Sequence, residues 1–406
     1  MSPIEVAARL RHLPGLVFFD SAGNVPTQDT PPASVIAADP VDVLCGSIHS
    51  ARDRAMLEER LGERSGGPAA DLGFPAGGLC GWVDYEGDFL FGDYPKMLVH
   101  TGDAGWIDVG GLGEELREAP AVDRPWIGRV EAGWSRERFV QAVDRIREWI
   151  AAGDIYQVNL AQDFSAEVRG PSLFGLYEHL REVSPAPMAA WLSLGGREVL
   201  SSSPETFLSI SGRGIETRPI KGTRPRFAEP AADRRSAYEL QTSPKEIAEL
   251  VMITDLLRND LGRVCEFGTV EVNEMLRLET LAQVHHLVSV VRGRLRAEIS
   301  PVKALAECFP GGSITGAPKR RAMEIIRELE GGPRGIYCGA IGYFGYHGES
   351  RFSIAIRTMV REGSRLSYHA GAGIVADSDP QKEYEETLHK AEGIRLALER
   401  FSSADA

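Results

Sequence analysis

The sequence predicts a mixed α and β (α+β) fold with many short strands, and three observations carry that prediction. Short runs rich in β-branched and aromatic residues recur between clusters of Gly, Pro, Asn and Asp, the pattern of strands that end in turns. Fewer segments carry apolar residues at helical spacing behind an N-capping side chain. The chain of 406 residues, 43% hydrophobic and 25% charged, can fill one large α/β unit or about two or three average domains without a long disordered portion.

Taken in order, 18–22 reads as a strand turning at Gly23-Asn24, and 51–61 as a helix. Segment 74–85 joins turn glycines to a strand carrying Trp82 and Tyr85, whose expected role is packing. The Gly-, Asp- and Glu-rich stretch 101–125 is the predicted boundary between a unit of residues 1–125 and one of 126–402. Beyond it, Ser135 caps a helix with Phe139, Val143, Ile146 and Ile150 on one face. Segment 155–164 is a strand that puts Gln157 and Asn159 on the face opposite Val158 and Leu160. A helix at 173–183 and strands at 190–194 and 198–202 then lead to Glu205, just past a strand end.

The stretch Arg218-Pro-Ile-Lys-Gly-Thr-Arg-Pro-Arg226 follows. Pro219 has no donor for a sheet interior, so the chain is expected to leave its sheet there. Lys221 would sit on a tight turn beside an apolar wall, with Arg218, Arg224 and Arg226 as the cations that help it shed its proton and act as a nucleophile. A solvated basic turn is the ordinary alternative.

The helix predicted over 242–257 has Ser243 as N-cap, Pro244 at its first position and Glu246 as its third residue, with Glu249 on the same face. A helix starting at Asp379 repeats the spacing with Glu383 and Glu386. Two facing pairs of carboxylates would make an oxygen site for a hard cation, Mg2+ above others, although solvated charged faces share this pattern. Between these helices, 283–292 reads as a strand that points His285 and His286 to opposite faces. The glycine-rich loop from Phe309 resembles an anion cradle, but Ala317 stands where a P-loop needs lysine. Strand 353–360 carries Arg357, which needs an anionic partner if buried, and 370–373 brings bare glycine amides nearby.

The net charge of −13 argues against a nucleic-acid surface or a polybasic membrane anchor. An anionic substrate therefore needs a local arginine or a metal. Five dispersed cysteines without a CxxC pair suggest a reduced, cytoplasmic protein, and no apolar window approaches a membrane span or a secretory leader.

The stretches GDIYQVNLAQ, SSSPETF, PIKGTRPR, MITDLLRNDLGRV, HHLVS, FPGGSITGAPKRRAMEII, YCGAIGY, AIRTMV and GAGIVADSDPQKEYEETLHKA together resemble the chorismate-utilising enzymes, most closely the large subunits of aminodeoxychorismate synthase. The resemblance runs over roughly 130–400; residues 1–125 resemble a shortened form of the family's amino-terminal region. It implies stacked antiparallel β-sheets flanked by helices, as in anthranilate synthase component I. It further implies that Glu249 and Glu386 bind Mg2+, with Glu246 and Glu383 reached through waters, and that Arg357, Tyr337 and the amides of Gly371 and Gly373 take the enolpyruvyl carboxylate. Ser313 and His286 match positions near the ring and its C4 hydroxyl, Glu205 the general acid/base, and Lys221 a covalent catalyst.

The implied reaction is amination of chorismate at C4 toward p-aminobenzoate and folate, with ammonia from a glutamine amidotransferase subunit, since no cysteine stands in a GxCxGxQ-like setting. Lys221 is the discriminating residue, because anthranilate synthases, which aminate at C2 as do 2-amino-2-deoxyisochorismate synthases, normally carry alanine there. Gln157 stands where isochorismate and salicylate synthases place a water-activating lysine. A non-catalytic chorismate-binding subunit would be expected to have lost one of Glu205, Lys221, Glu249 or Glu386, and all four are present. Phe18 to Ser21 corresponds to the place where some relatives hold tryptophan.

Overall fold

Strands bury both faces, and the two resulting apolar surfaces decide the architecture. Val17, Val35, Leu192 and Val199 join one buried cluster with Cys80, Trp82, Tyr94 and Ile341 of a second sheet. Their chain neighbours Phe18, Ile36, Trp191 and Leu200 face the other way, against Phe174, Tyr177, Ile394 and Leu398 of two helices. Period-two alternation with both faces apolar requires a cover on each side, and here those covers are a second sheet and a helical layer. The computed structural model describes residues 1–21, 33–64, 73–102, 105–120, 124–281 and 284–403.

The expected stacked antiparallel sheets are present. Among the described residues the larger sheet has 12 strands and the smaller 10, and every pair recorded in them is antiparallel. Strands from before residue 125 enter both: Val17–Asp20 pairs with Met188–Leu194, and Gly78–Val83 with Ala340–Gly345. Helices Arg136–Ala151, Pro301–Cys308 and Lys319–Glu330 contribute to a third large cluster with the smaller sheet. No helix among the described residues is long and apolar enough to cross a membrane.

Several predicted elements stand as read. Ser135 Oγ accepts from Arg138 N, and Ser243 Oγ accepts from Glu246 N at the start of the helix Pro244–Gly262. Two expectations are corrected. The chain does not leave its sheet at Pro219: Gly214–Arg218 and Ile220–Pro225 both pair with Val284–Arg294, and Pro219 sits at the joint, where its carbonyl accepts from Ser289 N. Nor is 353–360 one strand. Ser350–Ile354 belongs to the smaller sheet and Thr358–Glu362 to the larger, with Arg357 at φ +51° in the crossing between them. A guanidinium in the middle of a strand buried on both faces would need a partner on the spot, and the crossing releases Arg357 from that position. The Gly23-Asn24 turn and Gln283 lie outside the described residues.

Gly81 and Gly342 pair with one another, and a Cβ on either would stand 1.9 Å from a neighbouring carbonyl oxygen, Leu90 O or Arg351 O. Gly342→Ala is therefore expected to destabilise the protein by about 1–3 kcal/mol or more, seen as a lowered thermal midpoint. An unchanged midpoint would contradict this packing.

Candidate active site

Three segments meet at Lys221. The strand Ile220–Pro225 carries it, with a register shift around Gly222, which adopts φ +71°. A Cβ at residue 222 would meet Leu240 Cδ1 at 2.6 Å and Glu246 Oε2 at 3.1 Å, so glycine lets the strand lie close under the helices Pro230–Gln241 and Pro244–Gly262. From the loop before the helix Lys319–Glu330, the Ser313 carbonyl accepts from Lys221 Nζ at 3.3 Å. From the end of Arg197–Ser203 comes Glu205, 5% exposed, with Ser313 and the Ile220 backbone as polar neighbours that favour its ionised form. Burial pushes Glu205 up to about 7, against the pull of Ser313, Lys221 and Lys390. An amine and an acid that is half-protonated near neutrality thus share Ser313.

The arginines expected to act on Lys221 are engaged elsewhere, which corrects that part of the sequence reading. Arg218 pairs with Glu279 at 2.6 Å, Arg226 with Asp233 at 2.8 Å, and Arg224 lies 4.0 Å from Glu246. The charges facing Lys221 are the carboxylates Glu205, Glu249 and Glu386. Nearby guanidiniums find carboxylates because an unpaired buried charge is costly.

His285 and His286 separate as predicted. His285 is held by Thr280 Oγ1 at 3.0 Å and Asp233 at 3.1 Å, a structural role. His286 Nδ1 lies 3.3 Å from the Gly222 carbonyl and 3.0 Å from Thr223 Oγ1, while its Nε2 is buried without a partner. Burial, helped by Arg357, pushes His286 down to about 4, so the ring is neutral. A neutral imidazole that donates Nδ1–H to a carbonyl presents Nε2 as an acceptor, ready for a hydroxyl donor. The Arg357 guanidinium is itself lowered by burial and makes no hydrogen bond or ion pair among the described residues, while the residue's carbonyl accepts from Ser202 N at 3.0 Å. Such a guanidinium is a receptor for an anion.

Gly371 and Gly373 lie opposite Ala161 and Asn159. Ala161 N donates to Glu330 and Asn159 N to Thr315 O, on the other side of their strand. The two glycine amides therefore point away from that strand, free of the ladder. Tyr337, 6% exposed, brings its hydroxyl within 2.9 Å of where a Gly371 Cβ would be, and Gln157 Nε2 lies 2.4 Å from the corresponding point on Gly373. Gln157 Oε1 is buried and unpartnered.

The four predicted metal carboxylates come from the two predicted helices, Pro244–Gly262 and Pro380–Ser403, and are spanned by lysines. Lys245 lies 3.3 Å from Glu383 and 3.9 Å from Glu249; Lys390 lies 2.8 Å from Glu386 and donates to Gly371 O at 3.0 Å. Among the described residues no group of three or more metal-ligating side chains closes into an ion site. The donor set nonetheless fits a hard cation. Glu383 Oε2 is buried without a partner, and burial raises Glu249 against the pull of Lys221 and Lys245, with Glu246 and Glu386 raising it further. Burial is the largest influence on Glu386 and acts upward, but Lys390, Lys245 and Lys221 together outweigh it and leave that group lowered.

Sequence reasoning missed Lys245, Lys390 and Arg334. The lysines had a signal, each four residues from a predicted metal carboxylate on its own helix. Arg334, 3% exposed, had none. It is paired with Glu330 at 2.6 Å and donates to the carbonyls of Ile314 and Asn159, tying the Ser313 loop to the strand of Gln157.

Residues 103–395 match the model of the chorismate binding enzymes. This chain belongs to the chorismate-binding enzyme family. It is 46% identical over 307 residues to anthranilate synthase component 1 of Streptomyces coelicolor, covering 72% of this chain and 60% of that one. It is 48% identical over 288 residues to aminodeoxychorismate synthase of Streptomyces griseus, covering 71% of this chain and 40% of that one. The chain thus spans less than two thirds of the length of either relative. Among solved structures, anthranilate synthase component I from Streptococcus pneumoniae TIGR4 superposes with a TM-score of 0.78 at 29% identity, over 92% of this chain and 94% of that one.

Proposed function

We propose that this member of the chorismate-binding family is an aminodeoxychorismate synthase component I, converting chorismate and ammonia to 4-amino-4-deoxychorismate for p-aminobenzoate and folate synthesis. The observation that carries the reading is the Lys221 amine held at Ser313 beside Glu205, whose carboxyl is pushed up to about 7. Arg357, Tyr337 and the amides of Gly371 and Gly373 would hold the enolpyruvyl carboxylate, and His286 Nε2 and Ser313 would orient the ring through its hydroxyl.

Chemistry at C4 needs help because hydroxide is a poor leaving group. In the proposed sequence the Lys221 amine, having given up its proton, bonds to C2; the diene shifts; and the C4–O bond breaks as Glu205 supplies the proton that lets water depart. Ammonia then bonds to C4, the double bonds shift back, and the C2–N bond to Lys221 breaks. Glu249 and Glu386 would hold Mg2+, with Glu246 and Glu383 placed at its waters; when bound, the ion supplies a hard positive centre for the ring carboxylate. Ammonia would come from a glutamine amidotransferase subunit, a partner consistent with relatives named as component 1.

Amination at C2 by an anthranilate or 2-amino-2-deoxyisochorismate synthase is the second reading, favoured by relatives such as that of Streptomyces coelicolor, which is named anthranilate synthase component 1. The test common to both is consumption of chorismate by the purified chain with Mg2+ and ammonium salt at alkaline pH, where free ammonia replaces the partner. No consumption would count against both. Glu249→Gln is expected to raise the Mg2+ concentration for half-maximal rate at least about tenfold with little change in thermal midpoint. An unchanged Mg2+ titration would remove Glu249 from the ion site.

A further inference from the structure

We propose that His369 is a positioning residue for chorismate binding, fixing the ring of Tyr337 so that its hydroxyl stays against the bare Cα of Gly371; this rests on the assignment of Tyr337 and Gly371 to the enolpyruvyl carboxylate. The strand Arg365–Ile374 is extended, so His369 and Gly371, two residues apart, share one face. Tyr337 lies along that face. Its ring stacks on the His369 imidazole with centroids 5.0 Å apart and planes 16° from parallel, and its hydroxyl reaches the bare Cα of Gly371. The absent Cβ at 371 sets how close the hydroxyl comes, and the imidazole under the ring sets its plane.

Tyr337 is otherwise packed in the apolar core, and His369 is the residue that stacks flat on its ring. The Arg334 guanidinium lies 5.7 Å from the ring centroid, but Glu330, Ile314 O and Asn159 O fix it in place, so it cannot follow a displaced ring. His369 is only half-buried and borders a cavity of about 600 Å3 that also reaches Tyr337, Tyr368, Asp163 and Arg365. Without the imidazole, the ring face toward that cavity loses its support. Among the described residues the imidazole makes no hydrogen bond, and the sheet pairing of His369 with Asp163 runs through the backbone. What the side chain contributes is an aromatic face.

Tyr337 contacts the substrate away from the bonds that change, so loosening it should weaken binding of ground and transition states alike. His369→Ala and His369→Gln are each expected to raise the KM for chorismate about two- to tenfold at nearly unchanged kcat, the range expected for one aromatic stack. His369→Phe, which keeps a flat face, is expected to stay within about twofold of wild type. In a Tyr337→Leu background, His369→Ala is expected to add nothing. The rate is followed as loss of chorismate, so the outcome does not depend on which amine is formed. A wild-type chain that consumes no chorismate overturns the functional assignment. With an active wild type, an unchanged KM in His369→Gln, a Phe variant as impaired as Ala, or equal effects of His369→Ala with and without Tyr337 each overturn the proposal.

Discussion

Lys221→Ala is expected to cut formation of 4-amino-4-deoxychorismate by at least about a hundredfold while leaving the fold intact. The side chain is half-buried and, among the described residues, its hydrogen bond runs to the Ser313 carbonyl, so truncation opens no large cavity in the core. The loss falls on the chemical step. Without an amine there is no covalent bond at C2, and departure of the C4 hydroxyl loses the intermediate that makes it feasible. Any residual amination is expected at C2, as anthranilate, because that route needs no amine from the protein. The variant also deprives Glu205, Glu249 and Glu386 of a cation near all three. Its thermal midpoint should therefore be compared at pH 6 and pH 8 before kinetics are read. Unchanged product and rate would remove Lys221 from the mechanism.

The second large effect is expected at Glu205. Its carboxyl is raised from the usual range to about 7 by burial, so the proton needed at C4 is held up to that pH and lost above it. At a fixed concentration of free ammonia, kcat/KM for chorismate should fall as pH rises through about 7. Glu205→Gln should lower the rate by about 10²–10⁴ and abolish that limb. Stability moves in the same direction: a carboxyl whose folded value lies above its unfolded one favours the folded state less as pH rises from about 4.5 to about 7, and Glu205→Gln should remove that slope. A variant with the wild-type pH profile would assign the limb to another group.

Local signals were legible in the sequence where they were self-contained. The helix Pro244–Gly262 begins where Ser243, Pro244 and Glu246 say it should, and it delivers Glu249 and Glu246 to the site. The two histidines separate because strand geometry requires it. What could not be read depends on distant partners. Pro219 looked like an exit from a sheet because its missing donor is visible locally, whereas the long strand Val284–Arg294 that spans the joint lies some seventy residues on. The break at Arg357 was hidden inside an apolar run, since the left-handed backbone of a non-glycine residue has no composition signal. The neighbours of Lys221 were misjudged for the same reason: arginines adjacent in sequence are drawn to Glu279, Asp233 and Glu246, and the nearby acids come from three other segments. Arg334, wedged in a Gly-Pro-Arg-Gly turn, became visible only when the loop it supports was folded against it.

The most direct measurement is identification of the product. The purified chain is incubated with chorismate, Mg2+ and ammonium salt, and the products are read by mass and fluorescence with and without added aminodeoxychorismate lyase. The proposed chemistry at Lys221 predicts p-aminobenzoate only when the lyase is present. Anthranilate formed directly, with or without the lyase, would contradict it and move amination to C2.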